Sequence, residues 1–102
     1  SKWGYMTFKV IGLMELTNQD AFEEYRNQVG QTVELHKGVI YARGAITEIF
    51  WNELDCNPFS TYVELHFPSK EDAHAWVKSP QYQALVSVRS QAMKLTLFGV
   101  SL

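Results

Sequence analysis

The run Tyr62-Val-Glu-Leu-His-Phe-Pro-Ser-Lys-Glu-Asp-Ala-His-Ala-Trp-Val-Lys-Ser-Pro-Gln-Tyr-Gln-Ala-Leu-Val-Ser-Val-Arg89 decides the fold. Val63, Leu65 and Phe67 alternate with Tyr62, Glu64 and His66, which is the period of a strand with one apolar and one mixed face. Pro68 has no N–H for a ladder and ends the strand. Ser69 and Asp72 stand at capping-box spacing, and Ala73, Trp76 and Val77 form the buried stripe of a short helix. Ser79-Pro80 restarts a helix, with Ser as N-cap and Pro at the first helical position, where a missing N–H costs nothing. Tyr82, Leu85, Val86 and Arg89 carry its inner face on to about Ala92.

On the N-terminal side, residues 5–16 read as a strand in which Met6, Phe8 and Val10 alternate with Tyr5, Thr7 and Lys9. Thr17 and Asp20 have capping-box spacing, with Asn18 as an alternative N-cap. Phe22, Tyr25, Val29 and Val33 then recur at helical steps to a helix end near His36, where Gly38 takes the place of a C-terminal cap. Residues 39–50 return to a strand pattern. Ile40, Ala42, Gly44 and Ile46 share one face, Val39, Tyr41, Arg43, Ala45 and Thr47 the other, and Gly44 is the expected kink. Residues 51–60 read as a loop, and residues 94–98 as a last strand closed by Gly99. The order strand, helix, strand, strand, helix, strand predicts a ferredoxin-like α+β sandwich: a four-stranded antiparallel sheet with two helices on one face, one domain over residues 1–102.

Composition agrees with one packed domain. A chain of 102 residues, 46% hydrophobic and 14% aromatic, is large enough to bury a core and too apolar for a disordered segment. Nine basic residues against eleven acidic ones are scattered, so no stripe of positive charge is offered to nucleic acid or an anionic membrane. The single cysteine, Cys56, lies in a loop with no basic neighbour in sequence and reads as an unreactive thiol. No spanning or secretory run is visible, and a cytoplasmic location is the expectation.

Two helices cover only one side of such a sheet. The other side would carry Tyr5, Thr7, Lys9, Ile11, Leu13, Val39, Tyr41, Arg43, Tyr62, Glu64 and His66, too apolar for plain solvent and too polar for a dry core. Packing of two sheets face to face in a homodimer, partly closing a barrel, satisfies both properties.

At this level the chain resembles the DUF1330 family of the dimeric α/β-barrel superfamily. The resemblance rests on Asp20-Ala-Phe-Glu-Glu-Tyr25, on Gly38-Val-Ile-Tyr-Ala-Arg43-Gly44, and on Phe67-Pro-Ser followed by Ala73, Trp76, Ser79-Pro80-Gln-Tyr82-Gln-Ala-Leu85 and Arg89. It departs from the family pattern at His66, where a Glu usually precedes Phe-Pro-Ser, and at Lys37-Gly38 and Gly44-Ala45, where paired glycines are usual. The resemblance implies the fold and the dimer. Superfamily relatives include cofactor-independent monooxygenases and isomerases acting on aromatic or lactone compounds.

The candidate site residues are those of the uncovered face. His66 is positioned to move a proton and Glu64 to orient or charge-pair with it, although residues two apart on a strand are ~6.5–7 Å apart along the chain. Arg43, Tyr41 and Lys9 would bind substrate, with Arg43 holding a carboxylate or enolate; Arg89 would cap strand carbonyls, pair with an acidic group or reach the cleft between helix and sheet. His36, His66 and His74 have no metal-ligand spacing, and there is no phosphate loop, nucleophile elbow or redox Cys pair, so neither metal nor cofactor is expected. Trp76, Tyr82 and Tyr25 read as core. The function expected is cofactor-independent acid–base chemistry on a small compound; the alternative is a non-catalytic homodimer that binds a metabolite or protein, in which His66 and Arg43 are satisfied by protein groups.

Overall fold

A computed structural model describes residues 8–102. The elements are β1 (Phe8–Leu16), α1 (Gln19–Glu34), β2 (Val39–Ala45), β3 (Thr61–Phe67), α2 (Lys70–Lys78), α3 (Pro80–Gln83), α4 (Val86–Ala92) and β4 (Met93–Ser101). The sheet order is β2-β3-β1-β4 with every neighbouring pair antiparallel, which is the expected α+β architecture. The strand readings at Tyr5, Met6 and Thr7 lie outside the described residues.

The core lies between one face of the sheet and the helices. Val10 and Met14 of β1, Leu65 and Phe67 of β3 and Met93 of β4 meet Tyr25 and Val33 of α1, Trp76 of α2, Tyr82 of α3 and Ala92 of α4. The alternation of β3 therefore assigns its faces as expected. Val77 is 39% exposed and does not belong to the buried stripe of α2.

Helix starts follow the cap chemistry with one substitution of roles. Asn18, not Thr17, caps α1: the Ala21 N–H donates to its Oδ1 at 3.0 Å. Thr17 instead donates through Oγ1 to the Gln91 carbonyl and through its N–H to that of Ala92, tying the end of β1 to the end of α4. Ser69 caps α2 by accepting from the Asp72 N–H. Ser79 both closes α2 and opens α3, donating to the Trp76 carbonyl and accepting from the Tyr82 N–H, and its ψ of 146° is the extended conformation that the following Pro80 requires. What reads as one helix over residues 80–92 is divided at Leu85, whose φ/ψ of −94°/−7° breaks the helical run between α3 and α4.

Two glycines work differently from their expected roles. Lys37, with φ 67°, is the left-handed residue after α1. Gly38 is needed for space, since a Cβ there would stand 2.6 Å from the Phe67 ring and 2.9 Å from Val33 Cγ1. Gly99 does not end β4 but lies within it opposite Val10, and a Cβ there would stand 2.4 Å from the ring of Phe8.

The decisive irregularity is in β2. Val39 pairs with His66 and Ile40 with Leu65, but Ala42, not Tyr41, pairs with Glu64, so a β-bulge places an extra residue at Tyr41. The kink thus sits three residues before Gly44. Beyond it the faces exchange: Ala42 and Gly44 stand opposite Glu64 and Tyr62 of the uncovered face, and Arg43 opposite Val63 of the helix-covered face. Arg43 therefore does not share a face with Glu64 and His66.

Candidate functional site

On the uncovered face, β3 presents Tyr62, Glu64 and His66 in a row. Although strand neighbours of this kind are widely spaced, their side chains lean together: the Tyr62 hydroxyl donates to Glu64 Oε1 at 2.5 Å, and His66 Nε2 meets Glu64 Oε2. Lys9, opposite His66 in β1, brings Nζ within 3.4 Å of the same oxygen. The bulge turns the Tyr41 ring onto the His66 imidazole, stacked at 4.1 Å between centroids with 16° between planes. The hydrogen bond from Tyr62, then that from His66, outweigh burial and together with Lys9 hold the Glu64 carboxyl down at about 2; the same carboxylate pushes the Tyr62 phenol up. An ionised Glu64 can only accept, so His66 Nε2 carries the shared proton, and Nδ1 has no partner among the described residues. A carboxylate this acidic is a weak base, so Glu64 can orient His66 but is unsuited to take a proton itself.

This arrangement has a signed pH dependence. The folded-state pKa of Glu64 lies below its unfolded value, so its contribution to stability is complete above pH ~4.5 and is lost as the pH falls toward 2. Urea unfolding of the wild type and of Glu64→Gln should therefore differ most at pH 6 and converge between pH 4.5 and 2. A difference that stayed constant across that window would show that the carboxylate is not stabilised in the fold.

The helix-covered side holds a second arrangement, a cleft of about 60 Å³ between α1 and the sheet. That is room for a few waters, at roughly 15 Å³ for each, or for part of a ring whose remainder stands in the open mouth of the cleft. Its wall is mostly apolar, with Phe22, Tyr25 and Val29 of α1 facing Ile40, Val63 and Leu65, while Arg26 and Arg43 contribute the two cations. Arg26 is engaged loosely with Glu23 at 3.8 Å, and among the described residues Arg43 has no acidic partner. Behind the wall, Arg89 Nη1 donates to the Tyr82 hydroxyl at 2.8 Å, and the Tyr82 and Tyr25 hydroxyls share a hydrogen bond of 3.0 Å. Burial pushes the Tyr25 phenol far above its ordinary range, so it keeps its proton.

The six residues singled out from the sequence thus fall into two groups. Lys9, Tyr41, Glu64 and His66 are brought together on the uncovered face; Arg43 lines the cleft on the opposite side, and Arg89 lies behind that cleft, bonded to Tyr82. Sequence reasoning passed over Arg26 and the polar ends of Tyr25 and Tyr82. The signal for the tyrosines was present: two phenols on core stripes must each find a hydrogen-bond partner, and each other's hydroxyl is one.

A four-stranded antiparallel sheet with helices on one face and the other face uncovered defines a ferredoxin-like α+β protein. The family model described as "Domain of unknown function (DUF1330)" matches residues 7–101, and the chain belongs to that family. No curated protein matches the chain. Among solved structures it is similar to RPA0582, a protein of unknown function from Rhodopseudomonas palustris, at TM-score 0.75 and 16% identity over 96% of this chain and 84% of that one. A dimeric ferredoxin-like protein of unknown function from Thermobifida fusca matches at TM-score 0.66 and 15% identity, over 95% of this chain and 92% of that one. SnoaB, a cofactor-independent oxygenase from Streptomyces nogalater, matches at TM-score 0.66 and 7% identity, over 96% and 94%. Among the described residues no helix is long and apolar enough to cross a membrane.

Proposed function

We propose that this protein binds a small, mostly apolar molecule bearing an anionic group in the cleft between α1 and the sheet, without a metal or nucleotide. One observation carries the reading: an apolar cleft to which Arg43 contributes a cation with no acidic partner among the described residues. Apolar walls supply affinity and a few placed polar groups supply orientation, which is the usual composition of small-molecule sites. The fold has precedent for catalysis without a cofactor in the oxygenase SnoaB. Benzoate is a fitting probe. Titrated against the methyl resonances of Val29, Ile40 and Val63, it should bind the wild type and bind Arg43→Ala about 5- to 10-fold more weakly, the worth of one partly solvated charge-assisted hydrogen bond. Toluene should not distinguish the two proteins. Cleft methyls that never move would sink the reading; equal benzoate affinity would remove Arg43 from it.

The uncovered face supports a second element of the proposal, a homodimer formed sheet to sheet. Ile11, Leu13 and Val100 lie half-buried beside exposed Phe98 and Tyr41 on that face, an apolar surface that association would remove from water. The Glu64 cluster enters such an interface already satisfied, with Tyr62, His66 and Lys9 on the carboxylate, so its burial leaves no charge without a partner. In this reading His66 and its neighbours set the register of the two sheets, and acid–base chemistry on a ligand would require one seated against His66 Nδ1. Light scattering at micromolar concentration should return the mass of two chains, and Phe98→Glu that of one. A wild-type mass of one chain would overturn the dimer.

A further inference from the structure

Between β2 and β3 the chain leaves the sheet as an arm, residues 46–60, that is apolar where it is most exposed. Ile49, Phe50, Trp51 and Leu54 are 47%, 78%, 81% and 90% exposed, and none of them packs against the core. The root of the arm is fixed to the sheet, because the Ile46 N–H donates to the Ser60 carbonyl and the Ser60 N–H to that of Met14. Its tip is a closed turn. Asn52 accepts through Oδ1 from the Cys56 N–H and donates through Nδ2 to the Cys56 carbonyl, while the N–H of Asp55, at φ 58°, donates to the Asn52 carbonyl.

The arm lies on the side of the uncovered sheet face. Its returning half, Asn57, Pro58 and Phe59, walls a groove of about 230 Å³ together with Leu13, Lys94 and Thr96. Leu13 pairs with Thr96 and Glu15 with Lys94, and strand alternation sets all four on the face opposite buried Val10 and Met14. Arm, groove and sheet face therefore form one continuous surface.

Area argues for what covers it. Four strands of seven to nine residues, ~4.8 Å apart, make a flat face of roughly 450–600 Å². That is short of the ~800 Å² that each partner buries in a stable complex. Phe50 and Trp51 at their exposures add about 250–400 Å², and with Leu54 and Ile49 the combined surface reaches that size. Charge agrees with a second copy as the occupant: residues 46–60 carry Glu48, Glu53 and Asp55 and no base. Lys94 in the groove stands across the ladder from Glu15 but in ion-pair contact with no acid among the described residues.

We propose that the arm tip of one copy, led by Phe50, Trp51 and Leu54, seats in the groove between arm and sheet of a second copy, with Lys94 of the groove facing the acidic tip. A two-fold axis makes the exchange reciprocal, each copy giving a tip and receiving one. The inference rests on the sheet-to-sheet dimer and adds the element that fastens it.

Sedimentation across a dilution series tests it. Phe50→Ser combined with Trp51→Ser changes two side chains that are exposed in the single chain, and should raise the dimer dissociation constant at least about 30-fold. Lys94→Glu should raise it about 5- to 10-fold, and adding Glu53→Lys and Asp55→Lys should restore most of that loss. In the wild type the Trp51 emission, taken as the difference from Trp51→Phe, should move to longer wavelength as dilution separates the dimer. If the double serine variant fails to fold, that emission decides alone, and a band unmoved by dissociation overturns the proposal. A wild-type dimer whose constant the serine variant leaves unchanged overturns this inference and leaves the sheet-to-sheet reading standing. An unchanged constant in Lys94→Glu overturns the seating in the groove. A wild type that sediments as one chain overturns the arm exchange and the dimer together.

Discussion

Trp76→Ala should lower the unfolding free energy by about 3–5 kcal/mol, a large share of the 5–15 kcal/mol on which a domain of this size stands. Trp76 is 1% exposed, lies 5.6 Å from the Phe67 ring centroid and 4.5 Å from that of Tyr82, and so joins sheet to helices at the centre of the core. Its indole N–H donates to Thr32 Oγ1 at 3.0 Å. Removing that donor does not strand the threonine, which itself donates to the Val29 carbonyl at 2.7 Å. The loss is therefore mainly one of packing and cavity, not of a broken polar pair. Trp76→Phe keeps most of the ring contacts and should cost markedly less. Urea midpoints of the two variants measure this directly, and a loss for Trp76→Ala below about 1 kcal/mol would mean that the core closes over the gap.

Gly38→Ala should be the most damaging of the single-methyl additions, at about 1–3 kcal/mol. The added carbon would lie 2.6 and 2.8 Å from two atoms of the Phe67 ring and 2.9 Å from Val33 Cγ1, and both of those side chains are fully buried with no room to yield. The contrast within the same strand region is Gly44→Ala. A Cβ there meets nothing within 4 Å, and the variant should be neutral or stabilising by up to about 1 kcal/mol through a less flexible unfolded chain. Gly99→Ala falls between them, because its obstacle is the half-buried Phe8 ring at the start of β1, which can swing aside. Thermal midpoints in the order Gly44→Ala, Gly99→Ala, Gly38→Ala, highest first, are expected; Gly38→Ala matching Gly44→Ala would contradict the packing argument.

The fold was legible because its signals are local. Alternation at Val63, Leu65 and Phe67 needs only the chain's own pleat, and Ser79-Pro80 restarts a helix by the chemistry of two adjacent residues. Features that depend on a neighbour in space were not legible. Val39, Tyr41 and Arg43 alternate without fault, and nothing in their identities reveals that β2 takes an extra residue when it pairs with β3. Gly38 stands where the sequence places a helix cap, but it is required for another cause, since the ring of Phe67 that excludes a side chain there comes from a strand 29 positions away. The site suffered in proportion. Lys9, Tyr41, Glu64 and His66 share a face because their strands run unbroken up to the bulge, and Arg43 left them because it comes after it.

The bulge at Tyr41 also makes one short strand address two surfaces of the molecule, Tyr41 toward the place where a second sheet would pack and Arg43, two residues later, toward the cleft. The surface on which a side chain appears is then a matter of counting and not of chemistry: no substitution at Arg43 moves it, whereas one residue more or fewer before it does. Arg43 belongs to the cleft because three residues separate it from Val39, the partner of His66, where only two separate the residues they pair with, Val63 and His66.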